Sequence, residues 1–179
     1  HLDKIKDIFI KKNIKKSIFF CNKRTQTVLM AKKLKEIFGR DDRIFEHHSS
    51  ISSANRKFVE KEMGRTDGML SICAATASLE VGIDIGNIEG IVLVEPPLTI
   101  SSLLQRIGRG NRRTNKTVCF GLYRYNDDKE IFDEMIEDAK KGNIENVPYE
   151  PEISVCVQQI LSLVFEKRNQ ENGVLTREK

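Results

Sequence analysis

Apolar positions along this chain fall into short unbroken runs separated by stretches of helical spacing, and the two patterns alternate from one end to the other. Leu2, Ile5, Ile8 and Phe9 recur among lysines at helical intervals, which predicts an amphipathic lead-in helix over 2–13. Lys16–Cys21 reads Lys-Ser-Ile-Phe-Phe-Cys, a run of strand formers suited to a strand covered on both faces. Polar Asn22-Lys23-Arg24-Thr25 ends it, and Val28, Leu29, Ala31, Leu34, Ile37 and Phe38 trace the stripe of a helix stopped by Gly39.

The same alternation predicts a second strand over 43–48, with Ser49-Ser50-Ile51-Ser52-Ser53 supplying hydroxyls to cap a helix over 54–63. A third strand is expected over 68–75, followed by the turn Thr76-Ala77-Ser78-Leu79-Glu80 and a loop punctuated by Gly82, Asp84 and Gly86. A fourth over 88–94 stops at Glu95-Pro96-Pro97. Thr99 or Ser101 then caps a helix carrying Leu103, Leu104 and Ile107, and a fifth strand over 117–123 precedes a helix over 127–141. Two prolines and a glycine make 142–152 a linker. Ile153, Val157, Ile160, Leu161, Val164 and Phe165 form a helical face that needs a partner: either it packs back on the sheet or it starts a further domain.

Strands alternating with helices at this spacing call for an α/β fold, a parallel sheet with helices on both faces. Ligands of such sheets sit at the carboxyl ends of the strands, where the turns here are polar and rich in donors. The expected division is a lead-in helix over 1–15, the sheet domain over 16–145, and a linker with its helix over 146–179.

A 39% hydrophobic and 31% charged composition excludes wholesale disorder, and no apolar run approaches the roughly 20 residues of a membrane span. Cys21, Cys73, Cys119 and Cys156 lie far apart among apolar neighbours, without a C-x-x-C pair; they read as reduced core thiols of a cytoplasmic protein. The start at His1 without an initiator Met reads as a piece of something longer.

The basic excess is small, so its placement matters more than its size. From Pro96 to Tyr125 there is no Asp or Glu, while Arg106, Arg109, Arg112, Arg113, Lys116 and Arg124 are all cationic. Guanidinium forks suit phosphate oxygens, and Gly108 and Gly110 offer backbone freedom and close approach beside them, so polyphosphate is the first expected partner. A basic surface turn with no ligand is the better account of the arginines taken alone.

The strand-turn pairs together resemble the second RecA-like domain of a superfamily-two helicase. Ser17–Arg24 resembles motif IV, Ser71–Ile85 resembles motif V, and Gln105–Arg112 matches the Q/H-R-x-G-R-x-x-R signature of motif VI. His47-His48-Ser49-Ser50-Ile51-Ser52 resembles the H-H-x-x-x-S turn between them, and the whole is most similar to the large-helicase-related (Lhr-type) group. The resemblance implies that Arg109 and Arg112 are arginine fingers for an ATP γ-phosphate, with Arg106 supporting them. It also places Asp84 and Gly82 at the nucleotide and Gln105 at the contact with a facing lobe. Asn22, Arg24, His48, Ser49, Ser50, Thr76 and Ser78 would grip strand phosphates without reading bases.

No G-x-x-x-x-G-K-[ST] loop and no D-E box after an apolar strand occurs in the chain. The resemblance therefore implies that an N-terminal RecA-like lobe of the same polypeptide supplies those groups and the ligands of Mg2+, the ion used with ATP. DNA or RNA is the expected polymer partner, with no membrane, and the chain by itself is expected not to hydrolyse ATP. Rival readings are a lobe of a duplex translocase from a restriction or phage-defence system, and a non-catalytic nucleic-acid-binding module.

Overall fold

The computed structural model describes residues 2–39, 43–79, 87–110, 117–144 and 153–170, with side chains of the last segment described over 157–165. Five strands, β1 (Lys16–Cys21), β2 (Ile44–His47), β3 (Ser71–Ala75), β4 (Gly90–Val94) and β5 (Val118–Leu122), form one parallel sheet in the order β2-β3-β1-β4-β5. The helices are α1 (Leu2–Lys12), α2 (Arg24–Phe38), α3 (Ser53–Gly64), α4 (Ile100–Ile107), α5 (Asn126–Lys141) and α6 (Ile153–Gln170).

Every residue of β1 and β3 is buried, which is why neither shows the polar alternation of a half-exposed strand. Successive side chains part to opposite faces. Ile18 and Phe20 join Cys73, Leu93 and the apolar sides of α3, α4 and α5, while Phe19 joins Ile72, Val92 and the buried stripes of α1 and α2. Phe9 packs its ring within 6.0 to 6.2 Å of Phe19, Phe38 and Phe120, so the expected lead-in helix is part of this core. The chain divides into two units, 1–145 and 146–179. In the second, Ile160, Leu161 and Phe165 are exposed.

Helix boundaries follow local chemistry. Ser52 accepts from the Asn55 amide at 3.2 Å and Thr99 from the Ser102 amide at 3.0 Å, while α5 stops where Gly142 turns left-handed at φ 75°. The third strand is shorter than expected, starting at Ser71 instead of Gly68. The Asp67 carboxylate accepts from the Met69 amide at 3.1 Å and Gly68 has φ 73°, so a turn takes the first residues of the run. The fourth starts at Gly90, and Ile88 makes an isolated parallel bridge to Gly110. Cys21 and Cys73 are buried as expected, with burial raising the Cys21 thiol to about 11, but Cys119 is exposed.

Candidate nucleotide and nucleic-acid interface

Because β3 leads to β4 across β1, the helices after β1 and β4 leave toward opposite faces: α2 covers one and α4 the other. This opens a crevice between the carboxyl ends of β1 and β4, the usual ligand position in a doubly wound sheet. Asn22 spans it. Its amide donates to the Pro96 carbonyl at 2.7 Å and its Oδ1 accepts from Arg106 at 3.0 Å. Next to it, Gln26 donates to the Glu95 carboxylate at 2.7 Å, and Glu95 itself holds φ 73°.

Arg106 is 4% exposed, with its guanidinium 5.5 Å from the centre of the Phe20 ring. It clamps α4 to the strand tips and does not reach outward. Asn22, expected at a strand phosphate, is likewise committed to internal bonds at both ends of its amide.

Arg109 differs. Gly108, Arg109 and Gly110 continue the turn of α4 through backbone bonds of 2.8 to 3.1 Å to Leu104, Arg106 and Ile107, which carries the side chain past the clamped Arg106. Its Nε is buried without a hydrogen-bond partner, and among the described residues no carboxylate pairs with it. A buried donor group without an acceptor costs folding energy unless a ligand supplies one. An anion rich in oxygen fits that donor set. Gln105 is exposed on the same helix. Arg112, Gly82 and Asp84 lie outside the described residues.

The second cluster sits at the tips of β2 and β3. Ser49, Ser50 and Arg24 are exposed, whereas Thr76 and Ser78 are half-buried. His47 is 1% exposed; its Nδ1 lies 2.9 Å from Ser78 Oγ and its Nε2 3.3 Å from Glu60 Oε1, and the Thr76 amide donates to its carbonyl at 3.1 Å. One ring thus ties α3 to the turn after β3, a bond set that the pairing His47-His48 signals without naming Glu60. His48 is 3% exposed, and its ring is enclosed with Nδ1 unpartnered.

Loss of solvation lowers the pKa of His47 from its ordinary 6.5, ahead of the opposing pull of Glu60. The folded state holds this ring neutral, so its contribution to stability is full above pH 6.5 and declines as pH falls through 6.5 toward the lowered folded value. Thermal unfolding should show a midpoint that drops from pH 7 to pH 5, with the drop flattened in His47→Gln.

Residues 1–114 match the family described as Helicase conserved C-terminal domain, 114 of 179 positions. The chain belongs to that family. This helicase C-terminal domain is 30% identical over 155 residues to the ATP-dependent helicase Lhr-Core of Methanocaldococcus jannaschii, covering 86% of this chain and 18% of that protein. Its fold superposes on the Mycobacterium smegmatis helicase Lhr bound to ssDNA and AMP-PNP with a TM-score of 0.66 and 26% identity, over 80% of this chain and 19% of that one. Against domain 2 of the DEAD-box helicase Mss116p bound to an RNA duplex the TM-score is 0.62 at 26% identity, over 77% of this chain and 53% of that one. The chain is thus a second RecA-like domain of the superfamily-two type, similar to Lhr helicases, and it spans less than a fifth of the length of the Lhr-Core protein it matches.

Proposed function

We propose that this domain is one of two RecA-like lobes of an ATP-dependent nucleic-acid helicase, and that Arg109 and Arg112 act from it as arginine fingers. The observation that carries this reading is the Nε of Arg109, a buried donor with no acceptor among the described residues, on the turn just beyond an Arg106 already committed to Asn22. Bound between the lobes with Mg2+, ATP supplies the phosphoryl group whose transfer to water drives the cycle. Arg109 donates to the γ-phosphate and neutralises charge as it develops, and Arg112 shares that role. Arg106 holds α4 in register with the tips of β1 and β4, so a shift of the arginine turn is felt at Asn22. Gln105, Gly82 and Asp84 complete the nucleotide-side surface that faces the other lobe.

Nucleic acid runs across the tips of β1, β2 and β3. Arg24, Ser49 and Ser50 reach its phosphates from exposed positions, and Thr76 and Ser78 do so from the turn that His47 steadies. Asn22 and His48 act there as supports for the backbone, which fits their burial and internal bonds better than direct contact. Alternate grip by two lobes moves the strand. An Arg109 with no carboxylate partner among the described residues favours this over a non-catalytic scaffold, which has no use for such an arginine.

The groups that cradle the phosphates and hold Mg2+ come from the other lobe, so the 179-residue chain alone should show no nucleic-acid-stimulated ATP turnover above buffer, while a protein carrying both lobes should. A phosphate-release assay on both proteins, with and without single strands, checks this; robust turnover by the isolated chain would overturn the reading.

A further inference from the structure

β2 forms one edge of the sheet, and α2 and α3 cover opposite faces beside it, leaving a groove of about 510 Å³ along the open side of the strand. Its apolar wall is unusual for a surface: Phe58 is 56% exposed and stands edge-on to Phe45 with ring centres 6.2 Å apart, and Ile51 lines the groove next to it. Lys32 and Lys35 line the α2 side, with Glu46 the one acid among the described lining residues.

The backbone of β2 is spent on one side only. The Arg43 and His47 carbonyls accept from Ile72 and Thr76, so the odd-numbered residues face β3. Strand alternation then aims the N–H and C=O groups of Ile44 and Glu46 into the groove, where no described residue bonds to them. Four backbone groups, an apolar wall and a basic wall meet in one place.

We propose that this edge docks an extended segment of a partner protein, which adds to the sheet as a sixth strand next to β2 and alternates acidic with apolar side chains. The alternation follows from the geometry. Side chains of an added strand point by turns to the two faces. On the α2 face, where Ile44 and Glu46 point, they meet Lys32 and Lys35, whose charge Glu46 offsets only in part; on the α3 face, where Phe45 points, they meet Phe58 and Ile51. Backbone pairing supplies affinity and the two walls supply selectivity, the usual division when a peptide extends a sheet. A second copy of this chain is a poor occupant, since its own β2 edge carries the same lysines, and flanking lysines are a common guard against edge-to-edge pairing.

The probe is a displayed library of random decapeptides selected on the 179-residue chain, followed by a synthetic peptide of the enriched sequence. Enrichment of an acidic-apolar alternation is expected. Phe58→Asp, and separately the pair Lys32→Glu with Lys35→Glu, should each weaken the synthetic peptide by about tenfold or more, as loss of an interface anchor does. Peptide binding should slow hydrogen exchange at the Ile44 and Glu46 amides, and N-methylation of alternate peptide amides should abolish binding in one phase and spare it in the other. The proposal fails if no peptide with that alternation is enriched, if both variants bind normally, or if the Ile44 and Glu46 amides exchange at the same rate with peptide bound.

Discussion

Arg109→Ala, made in a protein that carries both lobes, is expected to lower nucleic-acid-stimulated ATP hydrolysis by about 10³-fold or more, the scale on which arginine fingers act. Affinity for single strands should be largely unchanged. The argument is one of position. Arg109 lies on the turn after α4, next to the Gly110 that bridges Ile88, whereas Ser49 and Ser50 follow the tip of β2 and Arg24 starts α2. Its guanidinium also makes no ion pair among the described residues, so removing it breaks no internal salt link and should not unfold the domain. Arg109→Lys keeps the charge but loses the fork and should recover only a small part of the rate. Steady-state turnover and strand binding by fluorescence anisotropy separate the outcomes: lost binding with preserved turnover would reverse the roles of the two clusters.

How much of this was legible beforehand depended on whether local chemistry settles the matter. β1 over Lys16–Cys21 is bounded where its polar neighbours begin, and the Ser52 and Thr99 caps stand at the start of α3 and α4, because a short side chain and an amide three residues on decide such ends. Gly68–Leu70 misled because strand propensity was overruled by a carboxylate two residues before Met69. Parallel pairing was inferable from the alternation of elements, but the order β2-β3-β1-β4-β5, which sets the crevice between β1 and β4, depends on crossovers no local pattern encodes.

The site divides in the same way. The motifs give residue types at the strand tips, and Ser49, Ser50 and Arg24 are exposed there. What spacing cannot give is direction. Asn22 and Arg106 are 84 positions apart and hydrogen-bonded to each other, so two groups expected at different ligands are in fact one internal clamp. Glu60 carries no motif and still holds His47, because a carboxylate on the exposed side of a helix looks the same in sequence whether or not a buried ring lies against it. The backbone freedom that Gly108 offers is not used: at φ −65° and ψ −6° it is ordinary helical turn. Gly110 is also absent from the glycines with positive φ.

Gly110 is needed for a different reason, and its replacement carries the second large effect. A Cβ built there overlaps Thr117 Oγ1 and lies 2.5 Å from Thr117 Cγ2 and 2.6 Å from Thr117 Cβ. Rotating the threonine moves the first two atoms away, but its Cβ is fixed to the backbone at the start of β5. Either β5 or the arginine turn has to move, and Gly110 is also the partner of the buried Ile88 in a parallel bridge. Gly110→Ala should therefore destabilise the 179-residue chain by about 1–3 kcal/mol, the cost of overpacking a well-filled contact, and Gly110→Val by more. In a two-lobed protein the same change should depress ATP turnover, because Arg109 is the residue immediately before it. The double variant Gly110→Ala with Thr117→Gly removes the opposing Cβ and should restore part of both the denaturation midpoint and the turnover. Normal stability of Gly110→Ala, or no rescue by Thr117→Gly, would show that the turn is held by something other than this contact.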